Sequence, residues 1–223
     1  IFITKNLKDF IRKKYFFSNN KFKILHDASD IRSIEKIKCQ KKLKLNVGYF
    51  GSIYSSRGII TIKKLSKLDQ NNKYFIFGGS KKELEKDPRY KNTQNLFFNK
   101  QIPYKNVKKE ILKMDVLLMP YTDKATISGD YGNIINFMSP MKMFDYLGSG
   151  KIILSADIKV LREVLKNNYN SILIKNYNNV YAWKKEIDKI KFNKNKYFII
   201  RKNALKTANK YTWKKRVEEI INL

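Results

Sequence analysis

Apolar residues along this chain recur with two different periods. Short, nearly continuous apolar runs stand at 43–50 (LKLNVGYF), 74–77 (YFIF), 96–98 (LFF), Val116–Met119 (VLLM), 152–154 (IIL) and Ile172–Ile174 (ILI). Runs of this length, several stopped by glycine or proline (Gly51, Gly78-Gly79, Pro120), read as strands of a buried parallel sheet. Between them the spacing becomes helical. Ile59, Ile60, Ile62, Leu65 and Leu68 mark an amphipathic helix, and 107–114, 141–147, 160–166, 180–190, 197–210 and Trp213–Ile221 are read as helices too. This alternation predicts an α/β, Rossmann-like domain over 43–223, a parallel sheet with helices on both faces. Upstream, 1–4 (IFIT) leans to a strand. Lys5–Tyr15 carries Leu7, Phe10 and Ile11 at helical spacing, 22–25 reads as another short strand, and 27–43 is polar enough for a linker. No internal repeat of fixed period is visible.

Parallel sheets of this kind bind ligands beyond the carboxyl ends of their strands, beside helix N-termini. The loops at 51–57, 78–80 and 120–140 are therefore the expected site.

Composition narrows the class. A 43% apolar content is ample for a core, and 223 residues suit one α/β domain with an appendage. With a mean hydropathy of -0.52 and no apolar run of about 18 residues, no membrane span is expected. No signal peptide is legible, and the opening IFIT reads as a strand that begins in mid-fold, so a fragment is expected. The single cysteine, Cys39, sits in KCQKK and reads as a bystander in the linker, which fits a reducing compartment such as the cytoplasm. His26, also single, reads as a packing residue at a strand end. Neither has partners at metal-ligand spacing.

The net charge of +29 raises the question of a polyanionic partner. The charge is mostly lysine, spread along the whole chain among Asn, Ile, Tyr and Phe, which share AT-rich codons. Nucleic-acid surfaces favour clustered arginine with interleaved aromatics. Compositional drift is the simpler account. Nucleic acid is not the expected partner, and peripheral contact with the inner membrane face is the use of the charge left open.

Two segments carry candidate chemistry. In YFGSIYSSRG (49–58), Gly51 follows a strand and lets the backbone approach a phosphate, while a helix N-terminus beyond offers free N–H groups. Arg57 stands at that entrance, where a guanidinium can take phosphate oxygens bidentately. The spacing is neither the dinucleotide fingerprint nor the P-loop, and a plain strand-to-helix turn with a solvated arginine is the competing reading. In FMSPMKMFDYLGSGKIILSAD (137–157), Ser139 can cap the following helix and Pro140 suits its first turn. Met141, Phe144 and Leu147 are expected to face the sheet. Lys142 and Asp145, three apart, point to one side of that helix. A carboxylate there can accept two ribose hydroxyls and an ammonium can neutralise phosphate. An ordinary surface salt pair is the alternative.

SPMKMFDYLGSGKIILSADIKVLREVL resembles the donor-site segment of the large retaining glycosyltransferase family 4, also called group 1. That family usually reads Ser-Pro-x-Lys-x-Phe-Glu-Tyr, a small-residue stretch ending in glycine, a strand, and a Glu before a helix. VGYFGSIYSSRGI is similar to its first strand and phosphate loop, and YFIFGGS to its second strand and turn. NLFFNKQIPYKNVKKEILKMDVLLMPY resembles its base-binding region, and YTWKKRVEEII its closing helix. The order matches from Leu43 to Leu223.

The resemblance implies the two-domain GT-B architecture, with this chain as the half that holds a nucleotide sugar. Residues 1–30 would be a remnant of the N-terminal domain and interdomain segment, 31–42 a linker, and 43–223 the donor domain. Matching positions place Gly51, Ser52, Arg57, Ser139, Met141 and Lys142 against the diphosphate, Asp145 on the ribose, and Gln101 and Ile102 at the base. Ser52 stands where many members have Arg, Asp145 where they have Glu, and Phe137 where they have the first acid of a Glu-x7-Glu pair.

The implied reaction is transfer of a sugar from a nucleoside diphosphate to the hydroxyl of a glycan, lipid-linked or small-molecule acceptor, with retention. It needs no cofactor and no metal; there is no Asp-x-Asp motif. The catalytic groups would lie in the other half. A nucleotide-sugar epimerase or phosphorylase on the same architecture, or a non-enzymatic polyanion-binding domain, remain the alternatives.

Overall fold

A computed structural model describes residues 1–15, 22–33, 42–126 and 132–222. Cys39, most of the expected linker and part of the 120–140 loop lie outside the described residues.

Six strands form one wholly parallel sheet: β1 (Asn46–Phe50), β2 (Lys73–Phe77), β3 (Leu96–Asn99), β4 (Val116–Met119), β5 (Ile152–Ala156) and β6 (Ile172–Ile174). Their spatial order is β3-β2-β1-β4-β5-β6. The apolar runs dictate the layering. β4, β5 and β6 are buried at every residue, whereas β2 and β3 alternate buried with half-buried positions toward the β3 edge. Helices lie between successive strands: α2 (Ile59–Leu68), α3 (Lys81–Lys86), α4 (Tyr104–Leu112) and α5 (Met141–Ser149), followed by α6 (Val180–Phe192), α7 (Lys194–Ala208) and α8 (Trp213–Ile221). One core cluster runs through the sheet. Trp183 of α6 is fully buried in it, its indole N–H donating to Tyr177 O at 2.9 Å.

The strand order reverses at β1. The chain leaves β1 for β2 and β3 on one side, then crosses to β4 on the other. Connections leaving the ends of β1 and β4 diverge there, and a crevice opens between them.

Sequence and structure differ at several elements. The segments 1–4 and 22–25 are not strands of the sheet. They meet in an isolated parallel bridge, Phe2 with Ile24, supported by the edge-on rings of Phe2 and Phe22. The stretch 160–166 is not an α-helix. A 3-10 segment covers Lys159–Glu163, and the Asn170 side chain holds the backbone of Val164 and Lys166, ending the helical geometry. The unforeseen α3 starts at a capping box, with the Ser80 hydroxyl accepting from Glu83 N–H and the Glu83 carboxylate from Ser80 N–H. Five of its six residues are charged, only Leu84 is apolar and none is buried, so apolar spacing could not reveal it.

α1 (Lys5–Tyr15) precedes the sheet and buries no residue. The Glu163 carboxylate accepts from the N–H groups of Lys5 and Asn6 at its N-terminus. Further along, the backbone of 25–32 is fastened to the C-terminal elements: Ser29 N–H donates to Tyr211 O, Arg32 to Ala208 O, and Arg216 to the carbonyls of Leu25 and His26. His26 packs edge-on against Tyr211, its Nε2 3.6 Å from the Glu163 carboxylate. Burial lowers the imidazole's pKa against the pull of that carboxylate.

Candidate donor site

At the switch point lies a cleft of about 630 Å³. All nine residues given site roles above line it: Gly51, Ser52 and Arg57 from the segment after β1, Gln101 and Ile102 from the segment after β3, and Ser139, Met141, Lys142 and Asp145 around the start of α5. With Gly78 and Gly79 after β2, four strand-to-helix connections from distant parts of the chain meet at one place. The volume suits a small organic ligand.

Its centre is cationic. Lys142 sits half-buried on the first turn of α5 and donates to the Tyr49 hydroxyl at 2.9 Å, with its ammonium 4.1 Å from the Tyr49 ring centroid and 5.6 Å from that of Tyr121. Burial, with the Arg57 guanidinium nearby, brings its pKa down to about 7. The surrounding phenols cannot supply an anion: burial holds Tyr49 well above the ordinary tyrosine value and Tyr121 up to about 12. Among the described residues no carboxylate forms an ion pair with Lys142. Gly51 makes its approach possible, because a Cβ there would stand 2.5 Å from Nζ.

Arg57 lies 5.7 Å from the Tyr121 ring centroid and donates to Thr126 O at 2.9 Å. Two cations and the N-terminal N–H groups of α5, which have no acceptor within their own helix, therefore border the same space. Such an arrangement suits a dianionic or trianionic group.

The sequence reading needs two corrections here. Ser139 does not cap α5: Pro140 holds the N-cap position without a side-chain cap, and the Ser139 hydroxyl accepts from Asp27 N–H at 3.1 Å. Met141 does not face the sheet; it is 48% exposed and forms cleft wall, because the first turn of α5 projects past the strand ends. The competing reading of Lys142 and Asp145 as an ordinary surface salt pair does not hold among the described residues. The carboxylate accepts from the Tyr104 hydroxyl at 2.9 Å and is only 6% exposed. Burial raises its pKa, opposed by hydrogen bonds from Ser29 and Tyr104 and by the Arg32 guanidinium.

Tyr49, Tyr121 and Tyr104 contribute to the site without having been singled out. Strand patterning gives Tyr49 as buried, yet nothing local shows that its hydroxyl meets a lysine 93 positions away. Phe137, at the family's first acidic position, turns its ring against Phe10 of α1 at 4.9 Å between centroids. Ile3, Ile134 and Met138 supply apolar lining to the cleft. Phe50 and Phe77 stack face to face at 4.7 Å, lining the cleft beyond β1 and β2. The described residues hold no group of three or more His, Cys, Asp or Glu suited to a metal. No described helix is long and apolar enough to cross a membrane.

Fold and cleft together define a Rossmann-like α/β domain with a cationic site at its switch point. The chain belongs to the glycosyl transferases group 1 family, whose model matches residues 29–207, well over half of it. No curated protein matches it in sequence. Among solved structures it is similar to sucrose-phosphate synthase from Thermosynechococcus elongatus, at 11% identity and a TM-score of 0.74, covering 99% of this chain and 56% of that one. It is also similar to a glycosyltransferase from Rickettsia africae, at 12% identity and a TM-score of 0.74, covering 99% and 61%. The Anabaena protein HepE, solved in complex with UDP and glucose, aligns at 12% identity and a TM-score of 0.63, covering 81% and 48%. The chain thus spans about half to three fifths of the length of these structures. At such identities the likeness is one of fold.

Proposed function

We propose that this chain is the donor-binding half of a retaining family 4 glycosyltransferase of GT-B architecture, acting in glycan or polysaccharide synthesis. In this reading 43–223 forms the donor domain, 31–42 the linker, and 1–30 the tail of the acceptor-side domain. The observation that carries it is the convergence of Arg57, Lys142 and the α5 N-terminus on one cleft, with a buried carboxylate, Asp145, at its side. A nucleoside diphosphate sugar presents the complementary series: a base toward Gln101 and Ile102, a ribose diol for Asp145, and a diphosphate for the cations. The complex of HepE with UDP and glucose supports a donor of this class.

Catalysis rests on stabilising the diphosphate as it departs. Arg57, Lys142 and the helix N–H groups act on its oxygens as the glycosidic C–O bond breaks and charge accumulates there. The acceptor hydroxyl, and the group that takes its proton, belong to the other half. The acceptor is a glycan, a lipid-linked glycan or a small molecule.

A thermal-shift screen of UDP, GDP and ADP sugars identifies the donor, and calorimetry on Asp145→Asn tests the site. Asn keeps the shape and can still accept from Tyr104, but loses the charge. Two charge-assisted bonds to ribose contribute about 1.5–3 kcal/mol each, so affinity for the donor should fall roughly tenfold or more. Because Asp145 is buried, a melting curve must show that the variant remains folded. Unchanged affinity in a folded variant would remove Asp145 from the donor site.

A further inference from the structure

Tyr104 opens α4, directly after Gln101, Ile102 and Pro103. Its ring is 52% exposed and lines the cleft. A tyrosine so placed has water available to its hydroxyl. Instead the hydroxyl donates at 2.9 Å to Oδ1 of Asp145, which is 6% exposed. The buried Ser29 hydroxyl, which accepts from Ile31 N–H at 3.0 Å, and the Arg32 guanidinium both favour the charged carboxylate against the effect of burial. Arg32 is itself anchored to the carbonyls of Ile31 and Ala208. The carboxylate therefore has a set orientation before any ligand arrives, and Tyr104 is the cleft-side contact that sets it.

Resting on the reading of Asp145 as the ribose acceptor, we infer that Tyr104 is a positioning residue for the donor ribose. Its hydroxyl fixes the rotation of the Asp145 carboxylate, and its ring walls the cleft between base and ribose. Two physical effects follow. A carboxylate already oriented loses less rotational freedom when the diol binds. A ring beside the Asp145–ribose contact also keeps water from competing for it. Tyr104 contacts neither the diphosphate cations nor the reacting centre in this arrangement, so its influence passes through the sugar diol of the nucleotide.

The test is a cycle between Tyr104 and the ribose hydroxyls. UDP and 2′,3′-dideoxy-UDP are titrated by calorimetry into the wild-type protein, Tyr104→Phe, Tyr104→Ala and Asp145→Asn, with the GDP and ADP pairs run alongside. Wild-type protein should prefer the diol-bearing nucleotide. Tyr104→Phe keeps the ring and loses the bond, and should weaken the diol-bearing nucleotide about five- to tenfold while leaving its dideoxy form unchanged. Tyr104→Ala should weaken both, having lost the wall as well. If Tyr104→Phe weakens both nucleotides equally, or leaves the wild-type preference intact, the inference is overturned while the donor site stands. If wild-type protein binds none of the three nucleotides, or binds one without preferring the diol, the reading of Asp145 fails and the inference falls with it. Melting curves on each variant separate a folding defect from these outcomes.

Discussion

Replacing Lys142 with Met is expected to weaken nucleoside diphosphate binding about ten- to a hundredfold while leaving the nucleoside's affinity nearly unchanged. The ammonium is half-buried, meets only neutral phenols and lies near a second cation, Arg57. That environment is unfavourable for a charge until an anion enters, so much of its stabilisation is reserved for the diphosphate. The same feature gives the effect a pH signature. With a pKa of about 7 in the empty site, the amine is largely neutral at higher pH, and binding must then restore its proton. A phosphate's last ionisation lies near about 6, so the diphosphate's own charge no longer changes above neutrality. Affinity should therefore hold steady at and below about pH 6.5–7 as far as Lys142 is concerned. It should fall by up to about one decade per pH unit above pH 7, until the pKa of the occupied state is reached. Calorimetry at about pH 7.5 and about pH 9, in buffers of different ionisation enthalpy, should record proton uptake in the wild type and none at this site in Lys142→Met. A pH-independent affinity in the wild type would show that the ammonium is not the diphosphate's partner.

Gly58→Ala should destabilise the whole domain, and Gly132→Ala should not do so to the same degree. Gly58 is the N-cap of α2 in the left-handed region, at φ 77°, and a Cβ there would lie 1.6 Å from Pro120 O. The obstacle is backbone at the end of β4 and cannot swing aside. Left-handed strain adds about 1–2 kcal/mol, and forcing the start of α2 away from Pro120 about 1–3 kcal/mol more. The expected loss in melting temperature is several degrees, on the order of 2–4 °C per kcal/mol for a chain of this size. Gly132 has a similar φ of 64° with nothing within 4 Å of its Cβ position, so its alanine variant isolates the strain contribution. Equal melting temperatures for the two variants would show that the β1–α2 turn and Pro120 are not in tight contact. Gly58 also follows Arg57, so any adjustment there should loosen the cationic end of the cleft.

The sequence by itself determined the six strands, because apolar runs such as Val116–Met119 can only be satisfied inside a sheet covered on both faces. It determined most helices through their apolar spacing, and the long-range order of its motifs pointed to the glycosyltransferase family whose model the chain matches. It could not decide which side chains meet across the switch point, since that depends on strand order rather than on neighbours in sequence. Lys142 and Asp145, three apart and expected on one side of the helix, are turned to different partners, Tyr49 from β1 and Tyr104 from α4. Ser139, a natural cap by residue type, instead accepts from the N–H of Asp27 because the upstream segment passes close by. A short segment such as 160–166 has too few turns for periodicity to separate an α-helix from a 3-10 turn, and Asn170 settled it through contacts made only in the folded chain. Local pattern fixes what must be buried; the tertiary structure decides which buried and half-buried polar groups find one another, and in this protein those meetings shape the candidate site.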